Sequence, residues 1–416
     1  MKLTRHKLGE LLRVTRGASL AGTGYADDGR YLRLTLANFH EKGGFKDFKS
    51  TQGKYFVAPF DSRFLMHKGD LITPLTEQSP GLLGSVAFIP CDNLYIQSQD
   101  VGLITCSAEK LDKAFAYYLF LTHSVREQIS ARSQQTKIRH TSPDKIADVE
   151  VYLPDLPTQL RIAGVLGSLD EKIALNRKKI AELEALAKTI YNYWFVQFDF
   201  PDKNGRPYKS SGGKMVWNEQ LKREVPDGWG VGCLYDIATF ENGLACQRFR
   251  PKDGEISLPV IKIREMHDGI NSDTERVSAN IPAKHRIDDG DLLFSWSASL
   301  EAMIWCGGEG GLNQHIFKVT PQGEYSVEYV YRQLASYIAT FAKMAEARKT
   351  TMGHITADHI KQSRIVLPIN GALTRFAASI KPIFERRLSL RKEIRELTEQ
   401  RDTLLPLLMN GQVTAG

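Results

Sequence analysis

The sequence predicts an α+β chain that is built twice: two similar globular heads in a pseudo-two-fold arrangement, separated by a long antiparallel coiled coil of two helices. Three observations predict it. One half of the chain repeats the apolar pattern of the other in the same order. Each half ends in a long run of apolar residues spaced alternately four and three apart. Inside each half, short strand-like stretches are bounded by turn residues. Composition agrees, because 416 residues that are 42% hydrophobic and 25% charged describe a folded chain of two or three domains, not a disordered one.

The repeat begins with Lys7-Leu-Gly-Glu-Leu-Leu-Arg-Val-Thr-Arg-Gly17, whose apolar pattern and closing glycine return in Cys233-Leu-Tyr-Asp-Ile-Ala-Thr-Phe-Glu-Asn-Gly243. Leu34-Thr-Leu-Ala-Asn-Phe-His40 returns as Ile261-Lys-Ile-Arg-Glu-Met-His267, both alternating as half-buried strands do. Gly69-Asp-Leu-Ile72 returns as Gly290-Asp-Leu-Leu293, and Ser98-Gln-Asp-Val101 as Asn313-Gln-His-Ile316. In the Gly-Asp-Leu turns the glycine permits the bend and the apolar pair enters a strand. His140-Thr-Ser-Pro-Asp-Lys-Ile146 and Val151-Tyr-Leu-Pro154 return as His354-Ile-Thr-Ala-Asp-His-Ile360 and Ile365-Val-Leu-Pro368. The spacing narrows from about 227 to about 214 residues, as it would where loops lose residues. Each match alone could arise by chance in one large α+β domain. Their common order carries the inference.

After Pro157 the residues Ile162, Leu166, Leu169, Ile173, Asn176, Ile180, Leu183, Ala187, Ile190 and Trp194 form an unbroken seam. The same spacing recurs in Phe376, Ile380, Ile383, Arg387, Leu390, Ile394, Leu397, Arg401, Leu404 and Leu408. A helix over 162–194 spans roughly 50 Å, more than a core helix needs. Arg387 and Arg401 are exceptions, explained if their stems lie along the seam or if neighbours such as Leu388 replace them. Asn176 is either a register device or a tolerated polar residue. Pro382 stands where the first helix has Ser168, so the second helix is expected to kink or to begin its long segment there. The order head, helix, head, helix lets the helices pair antiparallel. The expected divisions are a first head over 1–154, a first helix over 155–200, a linker rich in Gly, Pro and Ser over 201–224, a second head over 225–368 and a second helix over 369–416.

Several functions lose support. The five cysteines include no CxxC pair and the ten histidines no metal-ligand spacing, so neither a disulfide framework nor a metal site is expected. There is no phosphate loop, since Gly212-Gly213-Lys214-Met215 lacks the first glycine and the hydroxyl residue. The Asp/Asn-Pro-Pro-aromatic signature of an amino-methyltransferase is absent. Asp170-Glu171-Lys172 reads as a solvated helix face. No apolar run approaches the roughly 18 to 20 residues of a membrane span, and the N-terminal residues lack the apolar block of a signal peptide, so a cytoplasmic protein is expected. The net charge of +7 permits a polyanionic partner without requiring one.

Pro157-Thr-Gln-Leu-Arg-Ile-Ala-Gly-Val-Leu-Gly-Ser-Leu-Asp-Glu-Lys-Ile173, Leu186 and Trp194-Phe-Val-Gln-Phe-Asp199 closely resemble the central conserved region of type I restriction-modification DNA specificity subunits. Tyr208-Lys-Ser-Ser-Gly-Gly-Lys-Met-Val216, Val225-Pro-Asp-Gly-Trp229, the Gly-Asp-Leu turns and Leu404-Leu-Pro-Leu-Leu-Met-Asn-Gly-Gln-Val413 also fall where that family has such motifs. The resemblance implies a non-catalytic subunit with two target-recognition domains, each reading one half of a bipartite double-stranded DNA target across a gap set by the helices. It further implies two adenine methyltransferase subunits and, for cleavage, two restriction/translocase subunits as partners. S-adenosylmethionine and ATP with magnesium would belong to those partners, and no cofactor to this chain.

Within that frame the polar, basic segment before the final strand of each head is the best candidate for DNA contact. In the first head it supplies Arg132, Gln134, Gln135, Lys137, Arg139 and His140, and in the second Arg348, Lys349, Thr350, Thr351 and His354. Arg and Lys suit phosphate or guanine and Gln suits adenine. Secondary candidates are the loops that follow the Gly-Asp-Leu turns, Thr76-Glu-Gln-Ser79 with Gln78 and Ser79 in the first head and Ser295-Trp-Ser-Ala298 with Trp296 and Ser297 in the second. An enzyme with an unfamiliar site and a coiled-coil adaptor for proteins remain the rival readings.

Overall fold

The repeat seen in the sequence is a repeat of strand pairing. The computed structural model describes residues 2–47, 55–78, 81–133, 138–297, 299–347, 355 and 357–415. Its chain divides into two compact units, one comprising Met1–Lys172 with Leu397–Gly416 and the other Ile173–Glu396, so each unit holds one head and a portion of both long helices.

In the first unit a four-stranded antiparallel sheet has the order Leu12–Arg16, Val101–Cys106, Leu71–Pro74, Ala87–Phe88. In the second, Ala238–Asn242, Ile316–Pro321, Leu292–Ser295 and Glu301–Ile304 repeat that order. A smaller sheet in each head contains one parallel pair, Leu32 with Tyr95 and Val260 with Gly311. Each head is closed by strands from its two ends, Thr4–Lys7 with Glu150–Leu153 and Gly230–Gly232 with Ile365–Leu367.

The matched glycines show why the repeat had to keep them. A Cβ on Gly17 would fall on the carbonyl oxygens of Gln97 and Ser98, and one on Gly243 on those of Leu312 and Asn313, well inside van der Waals contact. These approaches bring Ala18 alongside Ser98 and Leu244 alongside Asn313 in equivalent parallel bridges. Overpacking against backbone cannot relax by rotamer change, so Gly17→Ala and Gly243→Ala should each destabilise their head by about 3 kcal/mol. Thermal melts matching the unsubstituted chain would show that the close approach is absent. The Gly-Asp-Leu turns also agree in detail: Gly69 and Gly290 have φ of 84° and 99°. Asp70 and Asp291 each accept a backbone N–H three residues back, from His67 and Asp288, at 2.8 Å.

One expectation is corrected. Leu34–His40 and Ile261–His267 are equivalent, but they are not strands: Leu36–Asn38 is a 3₁₀ turn and Ile263–Asp268 a short helix. The side chain three residues on folds back to cap the start of each, Asn38 onto the Thr35 N–H at 2.8 Å and Glu265 onto the Lys262 N–H at 3.2 Å. Local capping outweighs the alternating pattern.

The seam helices run Leu156–Tyr191, continued by a π-helical turn over Asn192–Val196, and Asn370–Met409. No predicted seam position is exposed. Within the first unit, Leu408 and Met409 pack into one core with Ile162, Ala163 and Leu166, and Arg401 meets Asp170 at 2.8 Å. Within the second, Phe376 lies against Tyr191 and Trp194, with ring centroids 6.4 and 5.7 Å apart, while Arg387 pairs with Glu184. Later residues of one helix meet earlier residues of the other, so the pairing is antiparallel.

The second helix does not begin at Pro382. It starts at Asn370 and passes through the proline, which lies on the exposed side, because Ala372, Leu373 and Phe376 already bury their side chains in the core before it. Arg387 and Arg401 keep their seam positions. Arg387 is 3% exposed, pairing with Glu184 and with Glu328 at 2.9 Å. Glu328 also holds Arg332 at 2.8 Å, and Arg332 reaches Glu184 at 2.6 Å. In the first unit the corresponding junction is Tyr118, whose hydroxyl donates to Asp170 at 2.7 Å beside Arg401. Burial, then the Asp170 carboxylate, pushes the Tyr118 phenol far above its ordinary range. Asn176 is fully buried with neither amide atom hydrogen-bonded.

The connector expected as a linker is folded. Asp199 accepts from the Ser210 N–H and hydroxyl, both at 2.7 Å, Phe200 stacks between Tyr208 and Trp229, and Met215–Asn218 pairs with Arg223–Pro226. Its aromatic residues anchor segments that Gly and Ser alone would leave loose.

Candidate nucleic-acid interface

In both heads the residue that follows the Gly-Asp-Leu strand makes the same pair of backbone hydrogen bonds. In the first head the Leu75 N–H donates to the Asp100 carbonyl at 2.8 Å, and the Leu75 carbonyl accepts from the Thr141 N–H at 2.9 Å. In the second, the Trp296 N–H donates to the His315 carbonyl at 3.3 Å and its carbonyl accepts from Ile355 at 3.1 Å. In the first head the secondary candidate loop and the end of the basic segment therefore share an edge, and in the second the residue after the basic segment, Ile355, takes the same place beside Trp296.

In the first head that edge is a short ladder, Thr76–Glu77 against Arg139–His140. The Ser142 hydroxyl, accepting from the Lys145 N–H at 3.3 Å, then starts the helix Pro143–Ala147 and ends the strand. Gln78, Arg132 and His140 are exposed at or near this edge. Arg132 lies back on its own helix, donating to the Gln128 carbonyl at 3.3 Å and side chain at 3.2 Å.

Arg139 differs from the free donor expected of a DNA contact. Its guanidinium is turned inward, paired with the Glu77 carboxylate at 2.8 Å and donating to the Ser130 carbonyl at 2.8 Å and the Ser133 hydroxyl at 2.8 Å. Without that partner the buried Glu77 carboxylate would be costly. Sequence reasoning held Glu77 only as part of a candidate loop and gave it no role of its own; it is 1% exposed and also accepts from the Gly81, Leu82 and Leu83 N–H groups at 2.8–3.0 Å. Its signal was an acid directly after a buried apolar strand. Arg126, donating to the Gly81 carbonyl, borders the same loop. Burial lowers its pKa while Glu41 and Glu77 oppose that shift.

In the second head Trp296 and Ser297 are also engaged internally. The Trp296 indole N–H donates to the Asn242 side chain at 3.0 Å and the ring packs on His315 and Phe317, with centroids 5.6 and 5.9 Å away. Ser297 is buried. Asn242 and His315 complete this cluster and were not singled out from sequence. Ser79, Gln134, Gln135, Lys137, Arg348, Lys349, Thr350, Thr351 and His354 lie outside the described residues.

Among the described residues no group of three or more His, Cys, Asp or Glu side chains is placed to hold a metal, and no helix is long and apolar enough to cross a membrane. Both heads thus brace the same edge with equivalent backbone bonds.

Comparison with known proteins agrees with that architecture. A family profile described as type I restriction modification DNA specificity domain matches residues 5–185. The HindI type I restriction enzyme specificity subunit of Haemophilus influenzae is 24% identical over 411 residues, covering 85% of this chain and 89% of its own. The MjaIX specificity subunit of Methanocaldococcus jannaschii is 24% identical over 314 residues, covering 72% and 68%. The crystal structure of a type I restriction-modification S subunit from M. genitalium superposes with a TM-score of 0.59 at 16% identity, over 98% of this chain and 96% of that one, and so has the same fold. With relatives of one kind spanning both repeats and the fold shared end to end, the chain is similar over its length to type I restriction-modification DNA specificity subunits.

Proposed function

We propose that each head reads one half of a bipartite double-stranded DNA target, and that the paired helices set the spacer and dock two adenine-N6 methyltransferase subunits. Two restriction/translocase subunits would join the same assembly for cleavage. S-adenosylmethionine and ATP with magnesium would be bound by those partners, and this chain would direct their chemistry without performing any. The single observation that carries the proposal is the shared edge beside Leu75 and Trp296: the same backbone bonds hold it in both heads, while the side chains upon it differ. Equivalent scaffolds bearing different polar residues suit an asymmetric, two-part target.

Exchanging residues 225–368 for the corresponding head of a homologue tests it. With the methyltransferase partner present, methylation mapping should show one half of the target changed and the other intact. Change in both halves would mean that the heads are not independent readers. Methylation or cutting of DNA by the pure chain with magnesium and S-adenosylmethionine would make it an enzyme instead.

A further inference from the structure

The ion pair between Glu77 and Arg139 joins three parts of the first head that are separate in sequence. One Glu77 carboxylate oxygen gathers the N–H groups of Gly81, Leu82 and Leu83. The other meets the Arg139 guanidinium at 2.8 Å, at a site where the two side chains are 1% and 22% exposed. Arg139 then carries the tie to the end of the helix His123–Ala131, through the Ser130 carbonyl and hydroxyl and the Ser133 hydroxyl, at 2.7–2.8 Å. Ser133 is itself buried and bonded back to the Ser130 carbonyl at 2.6 Å. The loop after the Gly-Asp-Leu strand, the strand Arg139–His140 and the helix end are thereby fixed by one buried charge pair. At the positions that the repeat aligns with this pair, Ala298 for Glu77 and Gly353 for Arg139, the second head carries no charge.

We propose that Glu77 and Arg139 are positioning residues for target selection by the first head alone, so that discrimination in one half of the DNA target depends on this pair and discrimination in the other half does not. The proposal rests on the functional reading above. Its physical basis is that base-edge hydrogen bonds discriminate only when their donors are held in place. Neither residue needs to touch DNA. In Glu77→Gln the amide oxygen still accepts the three loop N–H groups, but its NH₂ faces the guanidinium donor to donor. In Arg139→Lys the charge opposite Glu77 remains while the branched ties to Ser130 and Ser133 are lost.

The test is methylation mapping by the complex with its methyltransferase partner, on a DNA library randomised in both target halves. Glu77→Gln should lose on the order of tenfold in base discrimination within one half, with Arg139→Lys intermediate in the same half. That half should be the one left unchanged when residues 225–368 are exchanged. Unaltered discrimination by an assembled Glu77→Gln complex, or equal relaxation of both halves, would overturn the proposal. If Glu77→Gln fails to assemble, Arg139→Lys decides by the same criterion. A wild-type complex that methylates no two-part site would instead overturn the functional reading, and this proposal with it.

Discussion

Glu328→Ala is expected to lower the stability of the second unit by about 3–5 kcal/mol, the usual cost of stranding one partner of a buried charge pair. Glu328 is 1% exposed and accepts from both Arg332 and Arg387. Removing it leaves two buried guanidiniums sharing Glu184, which is 31% exposed and better placed to be screened by water. For a unit of this size the melting temperature should fall on the order of 10 °C. Replacing Glu328, Arg332 and Arg387 together by leucine should recover most of the loss, because an apolar cluster of similar volume avoids the desolvation cost. A melt of Glu328→Ala within a degree of the unsubstituted chain would show that the network contributes little.

Inserting one heptad after Lys178 and another after Lys392 should displace the preferred DNA spacer or abolish recognition. These positions are equivalent in the two seams, so the pairing on either side is kept. Seven residues add roughly 10 Å to the helix pair, close to three base pairs at about 3.4 Å each. The heptad rotates the seam by only about 20°, whereas three base pairs turn the duplex by roughly 100°. Length and twist then disagree. Bending or twisting the DNA to compensate costs of order 1–6 kcal/mol, enough to weaken binding from several-fold to beyond detection. Methylation mapping on a library with randomised spacers should therefore show a different spacer or none, with both half-sites unchanged. Undiminished preference for the natural spacer would mean that the helices do not set the distance.

The sequence made some features plain and concealed others for identifiable reasons. The seam was legible because a strict spacing of four and three has few other meanings, and all its positions are covered. The doubled heads were legible because steric necessity preserves Gly17 and Gly243. Leu34–His40 was misread because alternation along a short segment cannot show that Asn38 will cap its own turn. The fold of the connector depends on Phe200 finding Tyr208 and Trp229, a contact that a Gly- and Ser-rich composition does not announce. At the candidate interface the sequence did not tell which side chains face inward. Arg139 was chosen for its charge, while the group that turns it away from solvent, Glu77, lies far off in sequence on the opposing strand.

Antiparallel pairing of the two long helices also has a consequence for synthesis. The strands that close the first head, Thr4–Lys7 and Glu150–Leu153, are both made before the first long helix is complete. That head has all its pairing partners early. The helix does not, because Asn370 follows Tyr191 by about 180 residues. Ile162 and Leu166 meet Leu408 and Met409, made about 245 residues later, so at roughly 5–20 residues per second they lack those partners for about 12–50 s. During that interval two nascent chains on neighbouring ribosomes present matching apolar stripes to each other. Correct assembly is thus a kinetic contest between intramolecular closure by the late helix and premature association between copies.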